Sequence, residues 1–425
     1  MLALAALMVL LVAGGPLVAG QPPAAPAKAD DPAPPAPPAP PAPPAPPAPA
    51  AIARCIEFLV SAQEAHEAGK DEPPAPESIA EWPYEGVYRV GGKIPIGYRI
   101  GGTSIVASSL LLAPGYAEDQ ARREAVARAA KFVTTRLHDR LMNPDYDGGY
   151  DVRGWGYTYA LQFLLTLKST EAVDALPDDL KAAVETNITW CIGAIRQTEI
   201  NQAGGWNYAR QRGKDAVSPP SPFMTGPTLQ ALFEASRQGY PVDAGVVERG
   251  LAALERARAD SGSVAYSGKA NIDRPEPIPG SVGRMLATEI TLYLAGRGDV
   301  SRIRGALDSF LVHWEWLDKR RAKPGTHEPP YGVAPYYFYY AHTQAAQAIE
   351  LLPRRDRAEY RRRLHERLFS VRLENGTWND RVFPRTASYG TSQALMVLLM
   401  PTLPEPARWA AAATPAEPDP AKATP

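Results

Sequence analysis

Six times between residues 51 and 403, a charged amphipathic stretch is followed by a smoother apolar one rich in small residues. The second members read Gly102-Thr103-Ser104-Ile105-Val106-Ala107, Gly156-Tyr157-Thr158-Tyr159-Ala160-Leu161, Thr228-Leu229-Gln230-Ala231-Leu232, Thr288-Glu289-Ile290-Thr291-Leu292, Thr343-Gln344-Ala345-Ala346 and Thr391-Ser392-Gln393-Ala394-Leu395. Their threonines lie 55, 70, 60, 55 and 48 residues apart. A unit of that length with two helices makes the chain an array of helical hairpins. The charged members are expected as helices over Ala51–Gln63, Glu118–Leu137, Asp179–Gln197, Val246–Ala259, Val300–Lys319 and Asp356–Arg372. Apolar residues recur in them at three and four, as in Ile188, Cys191, Ile192 and Ile195. One helix of each pair therefore has a wet face, and its partner is buried on most sides. Closing the array into a ring places the apolar helices inside and the charged ones outside. The expected fold is all-α, an α/α toroid of six hairpins with parallel inner helices.

The ends of the chain differ from this core. Leu2 to Ala19 is almost wholly apolar and ends in small residues, which fits a signal peptide over 1–20 cut before Gln21. An uncleaved anchor is the rival reading, but Gly14, Gly15 and Pro16 interrupt the run and it is short for a span. Residues 21–50 form a Pro/Ala-rich linker whose repeated Pro-Pro-Ala excludes helix and sheet. As polyproline II at about 3.1 Å per residue, the tract Pro32 to Ala50 is a stiff spacer of roughly 60 Å. Residues 404–425 are similar and are expected to be a disordered tail. Of the 45 prolines, 23 lie in the first 50 and last 25 residues, so the toroid over 51–403 is ordinary in proline.

A formal net charge of −1 gives no global pull toward nucleic acid. The basic run from Arg354 to Arg367 is interleaved with Asp356, Glu359 and Glu366, as on a solvated outer helix. Cys55 and Cys191 lie in helical patterns of different repeats and are expected as free buried thiols.

Between the helices of several pairs a turn recurs: Gly148-Gly149-Tyr150-Asp151, Gly204-Gly205-Trp206-Asn207 and Gly376-Thr377-Trp378-Asn379. Traces of it remain at Gly86, Gly262 and Gly332. The run Arg372-Leu373-Glu374-Asn375-Gly376-Thr377-Trp378 resembles the Gln-x-x-x-Gly-x-Trp motif of the squalene cyclase and protein prenyltransferase repeats, with Arg where Gln is usual. Gln197 followed by Gly204-Gly205-Trp206 resembles the same motif with three extra residues. Tyr336 to Ala345 is similar to an inner-helix signature of secreted bacterial members of this prenyltransferase and squalene oxidase repeat family. The resemblance covers 51–403 and implies a terpenoid cyclase/prenyltransferase-like toroid. It specifies the fold far better than the reaction.

The chemistry of such proteins is not evident here. The Asp-x-Asp-Asp acid of class II cyclases is absent. Neither cysteine is preceded by the Asp of a zinc prenyltransferase, and the six histidines show no metal spacing, so no metal and no cofactor is expected. Asp147, Asp151, Asp380 and Glu289 are the acids placed near the inner-helix starts, a set compatible with glycan chemistry without indicating it. No catalytic residue is assigned, and whether the protein is an enzyme is left open.

Topology supplies the candidate binding surface. Parallel inner helices put six N-termini, each with about half a positive charge, around one opening. Arg99, Arg153, Arg284 and Arg385 lie four to six residues before inner-helix threonines. Tyr157, Trp206, Asn207, Tyr208, Trp378, Asp380 and Tyr389 are expected on the same rim, and Tyr336 and His342 on the aromatic run. The arginines either bind an anion (a diphosphate, a uronate or a peptide carboxylate) or pair with Asp151, Asp380 and loop carbonyls. The expected function is an exported, periplasmic or extracellular toroid that binds a small molecule, lipid or glycan in its central cavity without classical cyclase or zinc prenyltransferase chemistry. A diverged enzyme acting on an isoprenoid or a glycan and a protein-binding scaffold are the alternatives.

Overall fold

The computed structural model describes residues 48–65, 78–146, 152–208, 218–334 and 337–410. The expected signal peptide, most of the Pro/Ala linker, Asp147 to Asp151 and Tyr336 lie outside the described residues. Twelve α-helices run in six hairpins among the described residues. The first member of each pair is α1 (Ala48–Ser61), α3 (Gln120–Arg136), α5 (Asp178–Gln197), α7 (Ala244–Ala257), α9 (Val300–Asp318) or α11 (Arg354–Ser370). The second is α2 (Ile96–Leu112), α4 (Arg153–Ser169), α6 (Pro222–Arg237), α8 (Ile278–Leu294), α10 (Phe338–Leu351) or α12 (Thr386–Leu399).

Burial separates the two sets as their composition requires. On α8 every residue from Gly280 to Leu292 is buried, whereas α11 buries only Leu364 and Leu368. On α11, Arg361 pairs with Glu350 at 2.7 Å and Arg362 with Glu359 at 2.6 Å, while Arg363 and Arg367 lie over the Tyr360 and Trp314 rings. The second members form the inner ring. Each packs on the next, and α12 packs on α2, so the ring is closed. Ser392 Oγ donates to Ile105 O at 3.1 Å and lies 3.0 Å from Ser109 Oγ at that closure. The molecule is an α/α toroid.

One clasp repeats around it. The backbone N–H of Trp82, Trp206 and Trp378 donates to an inner-helix threonine, Thr103 at 2.9 Å, Thr225 at 3.1 Å and Thr391 at 3.1 Å. The three indoles donate to the last turn of the preceding outer helix, at Leu59 O (2.8 Å), Ile195 O (2.8 Å) and Leu368 O (2.9 Å). Each tryptophan thus donates to a carbonyl of the last helical turn, where the helix runs out of backbone donors. In the first repeat this residue is Trp82, and the turn is not centred on Gly86. In the third repeat the acceptor is Thr225, one turn before Thr228. A methyl group at Gly390 would sit 2.5 Å from Trp378 O, so the helix and the clasp touch only because that position has no side chain.

Two further features position the mouth. Strands β1 (Glu64–Ala65) and β2 (Ala80–Glu81) pair antiparallel with Glu64 opposite Glu81. Like charges directly opposed are unfavourable. Here Arg385 takes Glu64 and Arg99 takes Glu81. At the other end, the expected disordered tail from residue 404 is corrected for 404–410. Trp409 N donates to Leu294 O at 3.0 Å, and its ring stacks on Phe233 with centroids 5.6 Å apart. An apolar indole supplies the burial that proline and alanine alone lack. Cys55 and Cys191 are free and buried. No described helix is long and apolar enough to cross a membrane.

Candidate functional site

A cavity of about 450 Å³ opens where the inner helices begin. Its walls come from the first turns of α2, α4, α6 and α12 and from five of the loops that lead into inner helices. One wall is an aromatic cluster: Tyr84 lies edge-on to Tyr98 with centroids 5.3 Å apart, Tyr98 edge-on to Trp155 at 5.5 Å, and Tyr389 4.8 Å from Tyr84. Tyr208, Phe223 and Tyr266 form the other, and the hydroxyls of Tyr208 and Tyr266 are hydrogen-bonded to each other. Behind the cavity, Phe223 contacts Tyr337 and Tyr340, with centroids 4.6 and 4.7 Å away. The polar lining includes Asn207, Thr326, His327 and Arg381, and no described carboxylate lines the cavity. Burial, then the Arg284 charge, holds His327 below its ordinary value.

Arg381 is the singular residue. It is 3 % exposed, and among the described residues it has no carboxylate within ion-pair distance and its Nε has no hydrogen-bond partner. Among the described residues its Nη atoms reach only the carbonyls of Gly325 and Pro324, at 3.4 and 3.3 Å. A buried guanidinium held so loosely is poised for a charge-assisted partner. Asp380 lies beside it, fully buried, with neither carboxylate oxygen bonded to another described residue. Burial pushes its carboxyl up to about 7, against the pull of Arg381 and Arg321. Near neutral pH the group therefore holds a proton part of the time, and in that state it can donate a hydrogen bond. Its charge acts on Tyr84 and Tyr389, both of which line the cavity.

The expected rim residues fall into three groups. Asn207, Tyr208 and Tyr389 line the cavity, and Asp380 lies just behind it. Arg99, Arg284 and Arg385 are paired with carboxylates of their own chain: Glu81 at 2.8 Å, Glu276 at 2.5 Å and Glu64 at 2.6 Å. Buried Arg153 donates to Asn143 O and lies over the Tyr146 ring. These arginines pin loops and helix starts; the carbonyl partner expected is met at Arg153, the described carboxylate partners are Glu81, Glu276 and Glu64 and not Asp380, and Asp151 lies outside the described residues. Tyr157, Trp206, Trp378 and His342 are corrected to packing residues. Tyr157 donates to Met142 O, and the tryptophans are clasps. His342 Nε2 accepts from Trp314 Nε1 at 2.8 Å, its Nδ1 faces Phe338 O at 2.7 Å, and burial pulls it down to about 4. Glu289 pairs with Arg258 at 2.8 Å.

Counting from the inner-helix threonine missed Arg381, Tyr84, Tyr98, Trp155, Phe223, Tyr266 and His327. Counting from the clasp finds one of them, Tyr84, because the second residue after each tryptophan is Tyr84, Tyr208 or Asp380. No group of three or more metal-binding side chains occurs among the described residues.

No protein-family model matches the chain, and no curated protein matches it. Solved structures do. Unsaturated glucuronyl hydrolase from Streptococcus agalactiae superposes with a TM-score of 0.52 at 11 % identity, over 83 % of this chain and 91 % of that one. An inactive variant of the α-1,6-mannanase GH76A of Salegentibacter sp. HEL1_6, in complex with α-1,6-mannotriose, gives 0.50 at 12 % identity, over 83 % of this chain and 99 % of that one. The type II terpene cyclase MstE from Scytonema gives 0.45 at 12 % identity, over 84 % and 98 %. At these identities the first two likenesses establish the α/α toroid and no activity.

Proposed function

We propose that this protein is an exported toroid that binds a compact acidic saccharide, a uronate-bearing end in class, in the aromatic cavity at the inner-helix N-termini. The observation that carries the reading is Arg381, a buried guanidinium without a carboxylate partner among the described residues, on an aromatic wall. A carboxylate supplies its missing counter-charge, the ring faces of Tyr84, Tyr98 and Trp155 cover an apolar sugar face, and Asn207 and Thr326 meet hydroxyls. The six inner-helix starts carry no side-chain cap, which leaves their positive ends open to an anion. Export rests on the apolar leader and the Pro/Ala spacer.

A second reading makes the same cavity an active site with Asp380 as proton donor, favoured by its carboxyl lying near 7. Calorimetric titration of the full chain with glucuronate, a glucuronate-ended disaccharide and glucose separates the possibilities. The acidic ligands are expected to bind, and Arg381→Gln to weaken them by roughly ten- to a hundredfold with the thermal midpoint kept. Displacement of glucuronate by glucose at equal concentration, or unchanged glucuronate binding in Arg381→Gln, sinks the assignment. Release of product from the disaccharide that disappears in Asp380→Asn promotes the second reading.

A further inference from the structure

The opposite end of the toroid holds a second cavity, of about 310 Å³, where the inner helices finish. It is lined by α2, α4, α6, α10 and α12 and covered by the segment from Leu403 to Ala407, which Trp409 anchors. Its polar character differs from that of the first. Gln162, Gln230, Gln344, Gln347 and Gln393 line it, with hydroxyls from Thr166 and Tyr340. Gln347 Nε2 donates to Gln230 Oε1 at 3.0 Å, and Gln230 Nε2 donates to Thr291 Oγ1 at 2.9 Å. Thr291 Oγ1 passes the bond to Ala287 O at 2.7 Å. This relay fixes both amides and leaves Gln347 Oε1 as an acceptor.

Gln344 and Tyr340 have no such partners among the described residues. Gln344 is 8 % exposed, and its Oε1 is buried with nothing to accept from. The Tyr340 hydroxyl is buried and equally unpartnered. Leaving a buried polar group unmet is unfavourable, so two of them beside one cavity mark a place that a ligand or a side-chain turn completes. Arg237, the one cation among the described lining residues, is engaged by Glu234 at 2.7 Å, and Glu405 adds a further carboxylate to the lining. Six helix C-termini add partial negative charge at this end. The surroundings therefore repel anions and receive donated hydrogen bonds, while Ile105, Leu112 and Met396 offer apolar patches.

We infer that this cavity is a second binding site, for a neutral polyhydroxylated ligand of one or two sugar rings, with Gln344, Gln347 and Tyr340 accepting its hydroxyl protons. The site is independent of the one proposed at the other mouth. The full chain is titrated with glucose and maltose, alone and with the first cavity saturated by glucuronate. Saturable binding of a neutral sugar is expected, weakened at least about tenfold by Gln344→Leu and by Gln347→Leu. Gln347 is part-exposed, so its variant keeps the test open should Gln344→Leu fold poorly. Neutral-sugar binding that survives both variants, or that is lost in Arg381→Gln instead, overturns the proposal. So does a failure of both neutral sugars to bind.

Discussion

Asp380 follows from a single rule, that burying a carboxylate without hydrogen-bond donors favours its neutral form. Its native value of about 7 lies above the 3.8 of a free side chain, so the folded protein binds the proton more tightly than the unfolded one does. Stability from this group is whole below pH 4, is lost as pH climbs from about 4 to 7, and is flat above. Three pH units at about 1.4 kcal/mol each put the ceiling near 4 kcal/mol, less any relaxation around the charge. Asp380→Asn keeps the shape and removes the titration. The variant is expected to match the parent near pH 4 and to exceed it by a few kcal/mol at pH 8, read from unfolding curves across that range. A gap of the same size at both pH values rejects the buried-charge account. His342 acts on the other limb. Its value near 4 is below that of a free imidazole, so stability is lost as pH falls from about 6.5 toward 4, in parent and variant alike.

At the scale of elements, the clasp joins sequence to packing. Trp378 is fully buried, its indole N–H closes Leu368 O, and its backbone N–H rests on Thr391. Trp378→Phe strands that carbonyl and leaves a void, so a loss of about 2–4 kcal/mol is expected in urea denaturation. Trp206→Phe is expected to cost less in the third repeat, where Thr198 Oγ1 also donates to Ile195 O at 3.3 Å. Losses under about 1 kcal/mol in both variants place the hydrogen bonds outside the stability of the fold. The helices themselves were legible because each buries one continuous face: the expected outer helices begin and end within three residues of those observed. The clasp was legible where glycine precedes it, at Trp206 and Trp378, and missed at Trp82, where Ala80 stands in the glycine position. The cavity lining was mostly illegible. Its residues sit on loops of unequal length, so an offset of four to six residues from an inner-helix threonine selected Arg385, which faces Glu64, and passed over Arg381 four residues earlier. Charge periodicity carries no information about which guanidinium finds a carboxylate of its own chain.

The whole molecule differs from an open solenoid at one seam. There the first and last repeats meet without a covalent link. α12 lies on α2 and α1, Ser392 reaches Ile105 O and Ser109, Arg54 Nε donates to Asn375 O at 3.1 Å, and Arg385 takes Glu64 across 321 positions of sequence. The ion pair is part-exposed and contributes at most about 1 kcal/mol, so the packing of small residues does more to hold the seam shut. In a linear array each unit is held by its neighbours and the ends fray first. Closure removes those ends, which makes the seam the place where ends reappear when it is wedged open. Ser392→Leu drives a larger side chain into the α2 contact and removes the bond to Ile105 O. Native-state hydrogen exchange of this variant is expected to rise first in α1, α2 and α12, with α6 opposite the seam keeping its protection. A uniform fall in protection around the ring means instead that the toroid opens as one cooperative unit, and that the seam is no weaker than any other helix contact.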